Sequence, residues 1–182
     1  MNRTLVFGGT FDPPHLAHVE IPKKAMDFLD CEHILYLPAY QSPLKDKPVT
    51  EASHRLAMLH LALQNAPWAT ISTIEIEAKG TNYTIDTLEK LHQKYDEMQL
   101  LIGADQWNQF EQWHRHEDIL RIANPAIMPR DGFDISDKRL LPIEPFQCSS
   151  KTVRSLIKQK NATNQFLSPA VTEYITTHNL YM

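Results

Sequence analysis

The sequence predicts an α/β fold, a doubly wound parallel sheet covered by helices on both faces. Three observations carry this prediction. Short β-branched and aromatic runs alternate with helical periodicity along the chain. The first such run, Arg3-Thr4-Leu5-Val6-Phe7, stops at Gly8-Gly9, the pattern of a buried strand entering a tight turn. No internal repeat or low-complexity tract interrupts the alternation. Each crossover between parallel strands must return the chain in a right-handed sense, which places helices on both faces. In such sheets ligands bind beyond the carboxyl ends of the strands.

The elements follow in order. Leu16, Val19, Ile21, Ala25, Met26, Phe28 and Leu29 fall near helical spacing, so 16–29 is a helix, kinked or late-starting because Pro22 lacks a backbone donor. His33 to Pro38 is the second strand, and 39–50, with Pro43 and Pro48, is a polar loop. A helix over 51–65 places Leu56, Leu59, His60 and Leu63 on one face, and Thr70 to Glu77 supplies a third strand. A helix over 84–95, a strand from Met98 to Ile102, helical segments across 106–122 and a strand near 124–128 continue the alternation. A strand near 140–143, a helix over 151–159 capped by Ser149-Ser150 and a closing helix over 168–178 complete it.

A length of 182 residues fits one domain, 1–182, with a substantial core. No apolar run approaches the roughly 18 residues of a membrane span, so no membrane partner is expected. Only Leu5-Val6-Phe7 precedes the glycines, too short for a secretory signal, and Cys31 and Cys148 form no CxxC. Reduced thiols and a cytoplasmic location are the expectation. The net charge of -4 gives no general attraction to nucleic acid, so anion binding must be argued from local groups.

Two local groups stand out. In Gly8-Gly9-Thr10-Phe11-Asp12-Pro13-Pro14-His15-Leu16-Ala17-His18 the glycines admit close approach of a polyanion, and a helix N-terminus beyond them offers free N–H groups. His15 and His18 fall on one face of the first helical turn. They could also be a metal pair or partly buried helix residues, although His-x-x-His without a third ligand is a weak metal signal. Asp12 reads as a brace for the turn before Pro13. The second group, Ser149-Ser150-Lys151-Thr152-Val153-Arg154, sets hydroxyls and free amides at a helix start beside two cations, or else is a plain N-cap with a solvated basic face. The chain lacks both GxGxxG and GxxxxGK[ST], which argues against a hydride-transfer dehydrogenase and a P-loop enzyme. The run His114-Arg115-His116-Glu117-Asp118 groups imidazoles with carboxylates, but consecutive helix residues spread over different faces, which argues against a metal hydrolase.

These segments resemble the bacterial nicotinate-nucleotide adenylyltransferases of the HxGH nucleotidyltransferase superfamily, over almost the whole chain. Residues 8–18 resemble the family's GGTFDPxHxGH and 149–154 its SSTxIR. Asn82-Tyr83-Thr84-Ile85-Asp86-Thr87 resembles its SYTxDT, Ile102-Gly103-Ala104-Asp105 its IGxD, Trp113 its tryptophan after that strand, and Asn179-Leu180-Tyr181 its C-terminal GLY. The resemblance implies a Rossmann-like nucleotidyltransferase fold (the α/β phosphodiesterase type) with a small C-terminal helical part. It also implies attack of the 5′-phosphate of nicotinate mononucleotide on the α-phosphorus of ATP, with Mg²⁺ neutralising the pyrophosphate and no protein nucleophile. His18, His15 and Arg154 would then serve the phosphates, with Gly8, Gly9, Thr10, Phe11, Gly103, Asp105, Ser149 and Ser150 completing the ATP site. Trp113 would stack on the nicotinate ring, backbone near Thr84 and His114 would meet its carboxylate, and Lys45 and Arg130 are the candidate cations. The alternative readings are that Trp113 is core, Lys45 a solvated loop charge and Arg130 a turn residue. A homo-oligomer stays open.

The chain also departs from the family pattern. Ala17 stands in the place of a glycine, Ser42-Pro43-Leu44-Lys45 in the place of PPHK, and Lys151 in the place of a threonine. Two rival readings therefore stand: another phosphorylated acceptor such as nicotinamide mononucleotide, or a nucleotide-binding module with weak catalysis.

Overall fold

A computed structural model describes residues 3–41 and 50–182. Five strands, β1 (Arg3–Gly9), β2 (His33–Pro38), β3 (Ala69–Ile71), β4 (Glu97–Gly103) and β5 (Ala126–Met128), form one parallel sheet in the order β3-β2-β1-β4-β5. The chain lays down β1, β2 and β3 outward in one direction, then crosses back to place β4 on the other side of β1. That reversal opens a crevice beyond the carboxyl ends of β1 and β4.

The alternation of side chains along β1 divides the core. Leu5 and Phe7 join Ile34 and Tyr36 of β2 under Ile21 and Ala25 of helix α1 (Ala17–Phe28). Val6 faces the other way, with Leu35, Leu37, Leu100 and Ile102, against Ile85 and Leu88 of α4 (Thr84–Leu91) and Ile119 of α6 (His116–Ala123). Each such fully buried aliphatic side chain contributes about 1.5–3 kcal/mol. A third cluster, Met58, Val153, Leu167, Val171 and Ile175, packs α7 (Ser150–Lys158) and α8 (Pro169–Thr177) onto α2 (Ala52–Ala62). It is the expected C-terminal helical part, and it brings α7 to the mouth of the crevice.

Pro22 lies inside α1, and the carbonyl that its missing N–H would have served belongs to His18. The Tyr36 hydroxyl of β2 donates to that carbonyl at 3.0 Å, so the helix continues and the His18 backbone is tied to the sheet.

Three expectations are corrected. The strand over Thr70 to Glu77 ends at Ile71, and a short helix, α3 (Ile74–Ala78), follows. The alternation Ile-Glu-Ile-Glu imitates a strand, but the Glu77 amide bonds back to the Thr73 carbonyl at 2.8 Å. The strand near 140–143 reduces to a single bridge between Leu140 and Ile127. The helical segments expected across 106–122 are present, as α5 (Ala104–Trp107), a 3₁₀ turn (Phe110–Gln112) and α6, which begins after Arg115 in a left-handed conformation. In α2 His60 is exposed rather than on the buried face, and Arg55, Met58 and Leu59 are buried.

Candidate active site

Two cavities open at the crevice and share Gly8, Gly9, Thr10, Asp105 and Gln106. The larger, of about 1190 Å³, runs between the turn after β1 and the N-terminus of α7. His15, His18, Asp105, Arg130, Ser149, Ser150, Lys151 and Arg154 line it. The smaller, of about 220 Å³, is walled by Tyr83, Thr84, Trp113, His114 and Glu75.

The turn that separates β1 from α1 is fixed from several directions. Gly8 has open space beside it, with no atom nearer to an added Cβ than the Leu37 carbonyl at 3.9 Å. At Gly9 an added Cβ would meet the Phe11 ring at 3.0 Å. Phe11 itself is 1% exposed, at the base of the groove, with its ring edge-on to Phe7 and His18. Asp12 precedes Pro13 through a cis peptide bond and is buried. Its carboxylate accepts from the Thr50 amide at 3.3 Å and the Tyr181 hydroxyl at 2.6 Å. Its carbonyl accepts from Arg154 at 2.6 Å, and the Pro13 carbonyl accepts from the Ser150 hydroxyl at 2.9 Å. Asp12 is thus the brace its position before Pro13 suggests.

His15 and His18 stack with ring centroids 3.7 Å apart. The His15 amide donates to Nδ1 of His18 at 3.1 Å, so the neutral His18 ring carries its proton on Nε2. Burial first, and the Arg130 charge second, push His15 down to about 3, and its Nδ1 is buried with no hydrogen-bond partner among the described residues. His15 is therefore a neutral ring at physiological pH. Ser149 caps α7 by accepting from the Thr152 amide at 3.1 Å, which leaves the helix's positive end facing the groove.

At the end of β4, Gly103 donates its amide to Gln106 Oε1 at 3.0 Å. A Cβ at Gly103 would stand 2.3 Å from Asp105 Oδ1 and 3.3 Å from Arg130 Nε, so only glycine leaves that carboxylate where it is. Arg130, a candidate cation for the second substrate, lines the larger groove and not the smaller cavity, 3.7 Å from Asp105, because it follows the edge strand β5 on that side. Lys45 lies outside the described residues.

In the smaller cavity, Trp113 is half-buried, packs on Phe110 at 5.4 Å, and its buried Nε1 lacks a hydrogen-bond partner among the described residues. His114 is exposed and lies 4.7 Å from the Tyr83 ring. The rest of its polar run is dispersed: Arg115 pairs with Glu89 and Asp118, and His116 packs edge-on to Phe110. Among the described residues no group of three histidines, cysteines or carboxylates could hold a metal ion.

Sequence reasoning missed Arg55 and Glu75. Arg55 is 1% exposed, and its guanidinium donates to the carbonyls of Thr10, Ala39, Tyr40 and Thr50 at 2.7 to 3.2 Å, joining the loops after β1 and β2 to the start of α2. No spacing signals a charge that binds only backbone. Glu75, hidden in the pseudo-strand alternation, accepts from Thr87 Oγ1 at 2.9 Å, and burial pushes its carboxyl up. No helix among the described residues is long and apolar enough to cross a membrane.

A five-stranded parallel sheet with a phosphate-suited groove joined to an aromatic cavity at its switch point defines a nucleotide-handling transferase. The cytidylyltransferase-like family matches residues 6–169. The probable nicotinate-nucleotide adenylyltransferase of Herpetosiphon aurantiacus is 33% identical over 197 residues, covering 100% of both chains. The nicotinate-nucleotide adenylyltransferase of Bacillus subtilis is 30% identical over 100% of this chain and 99% of its own. Plasmodium falciparum nicotinic acid mononucleotide adenylyltransferase complexed with NaAD superposes with a TM-score of 0.81 at 20% identity, over 100% of this chain and 98% of that one. The chain belongs to the nicotinate-nucleotide adenylyltransferases, within the cytidylyltransferase-like family, and is a nucleotidyltransferase.

Proposed function

We propose that this chain transfers the adenylyl group of ATP to nicotinate mononucleotide, giving the deamido dinucleotide and pyrophosphate. The observation that carries this is the meeting of the two cavities at Gly8, Gly9 and Thr10, one built for phosphate and the other for an aromatic ring. An oxygen of the acceptor's 5′-phosphate attacks the α-phosphorus, and the bond from that phosphorus to the bridging oxygen breaks. The electron pair leaves with pyrophosphate. No covalent enzyme intermediate is needed, so the protein acts by positioning and by donors aimed at developing charge.

His18, protonated on Nε2, donates to the α-phosphate as charge builds. His15, the α7 N-terminus with Ser149 and Ser150, and Arg154 hold the triphosphate. Arg154 has five N–H donors, so it can serve phosphate while retaining the Asp12 carbonyl. Asp105 and the Gly103 backbone meet the adenosine part. Arg130, in the groove, is the cation within reach of phosphate rather than of the pyridine ring. Trp113 stacks on that ring, with Thr84 and His114 beside its carboxylate. The donor set of imidazoles, hydroxyls and guanidinium suits phosphate oxygens rather than a bare cation, so a Mg²⁺ ion would be held by the triphosphate itself and would supply charge neutralisation for the pyrophosphate.

One observation favours a second reading. The Glu75 carboxyl lines the smaller cavity, where it would disfavour an anion and accept from an amide, as nicotinamide mononucleotide would present. Purified protein with Mg·ATP is tested on both acceptors. Pyrophosphate release with a higher kcat/KM for the acid supports the first reading, a higher value for the amide supports the second, and no release with either overturns both. Trp113→Ala should raise the acceptor KM more than the ATP KM, and equal damage to both would remove its stacking role.

A further inference from the structure

We propose that Tyr181, the penultimate residue of the chain, is a positioning residue for the phosphate groove, acting through Asp12. The inference rests on the adenylyl-transfer reading. Tyr181 stands 169 positions from Asp12 in sequence, yet its hydroxyl donates to Asp12 Oδ1 at 2.6 Å. Burial first, then the hydrogen bond to Asp12, raise the Tyr181 pKa, so the hydroxyl stays a donor across the working range.

The geometry makes this contact more than a tether for the tail. Asp12 lies in the turn between the paired glycines and the two histidines, and its carbonyl receives Arg154. Tyr181 therefore sets one end of a chain of contacts that runs from its hydroxyl to the Asp12 carboxylate, through the Asp12 carbonyl, to the Arg154 guanidinium in the groove. The other carboxylate oxygen is held by the Thr50 amide. With both oxygens fixed, the carboxylate, and with it the carbonyl that orients Arg154, has one setting. The hydrophobic anchoring of the tail is separate: Leu180 and the Tyr181 ring pack against the cluster joining α2, α7 and α8. Removing only the hydroxyl should leave that packing in place.

Asp12 and Arg154 line the larger cavity and not the smaller, so the influence of Tyr181 through them should fall on one substrate alone. The test uses the full chain and the Tyr181→Phe variant. Calorimetry with a non-hydrolysable ATP analogue should show binding weakened about tenfold, the scale of a lost hydrogen bond to a charged group. Steady-state kinetics should show a matching loss in kcat/KM for ATP, with the acceptor KM unchanged and thermal melting still a single transition. Asp12→Asn should cause a similar loss, and adding Tyr181→Phe to it should cost little more, as coupled residues do. Analogue binding within twofold of the wild type, or losses that multiply in the double variant, would overturn the proposal. A lower active fraction without a change in analogue affinity would also overturn it, because that is the mark of a stability role. Wild-type protein that binds the analogue but transfers nothing refutes the adenylyl-transfer reading alone, and the binding comparison still decides on Tyr181.

Discussion

Replacing Gly103 by alanine is the sharpest probe of the adenosine end of the site. The backbone there is extended, with φ -76° and ψ 156°, a conformation alanine adopts without strain. The obstacle is contact: the new Cβ would lie 2.3 Å from Asp105 Oδ1, where ordinary contact begins at 3.4 Å. The carboxylate must therefore retreat by about 1 Å, and a misplacement of that size costs about 100-fold where a group positions substrate. Stability should change little, because the Asp105 side chain is 44% exposed and can swing toward solvent at a cost of about 0.5–1.5 kcal/mol. Steady-state kinetics with ATP as the varied substrate, beside a thermal melt, reads both effects. The expected result is a kcat/KM for ATP reduced by about two orders of magnitude at a nearly unchanged melting temperature, with Asp105→Ala adding little in the Gly103→Ala background. A Gly103→Ala enzyme within about twofold of wild type would refute the assignment of Asp105 to ATP.

Three further outcomes are expected. His18→Ala should cost on the order of 2.7–4 kcal/mol, mainly in kcat, and a near-normal kcat would remove His18 from the transition state. His15 has its folded pKa depressed from 6.5 to about 3, so below pH 6.5 the unfolded chain takes up a proton that the folded chain refuses. Its contribution to stability is intact above pH 6.5 and is lost progressively toward pH 3, amounting to about 2 kcal/mol at pH 5. Urea unfolding at pH 7 and pH 5 should show that much less acid sensitivity in His15→Asn, and equal sensitivity in the two proteins would contradict the burial argument. Arg55→Met should destabilise by at least about 3 kcal/mol, because four carbonyls lose a buried donor at once. A loss under about 1 kcal/mol in denaturant titration would mean that water serves those carbonyls.

The parts of the fold marked by apolar runs that end in turn signals, or by helical periodicity, were legible in the sequence. The first strand, which runs on from Phe7 through Gly8 and Gly9 before it turns, the helix after His15 and the strand from Met98 to Ile102 lie where their residues put them. The alternation over Ile74 to Ala78 misled, because no turn signal bounds it and so brief a pattern does not separate a period of two from a helical turn. In the site, the residues that face substrate carry recognisable spacings, and the groove gathers His15, His18, Ser149, Ser150 and Arg154 from segments more than 130 positions apart. The residues that hold the turn are silent in sequence. Tyr36 compensates for a proline fourteen positions before it, and Arg55 and Tyr181 act across distances that no local pattern records.

The way Arg55 works also bears on which substitutions the loops around the crevice tolerate. Its four acceptors are main-chain oxygens, which every amino acid supplies. Arg55 therefore places no demand of its own on the side chains of Thr10, Ala39, Tyr40 and Thr50, while it pins the path of the backbone. The unusual Ser42-Pro43-Leu44-Lys45 falls between two of the pinned points, Tyr40 and Thr50. A catalytic scaffold arranged in this way can exchange the chemistry of a loop without renegotiating its architecture.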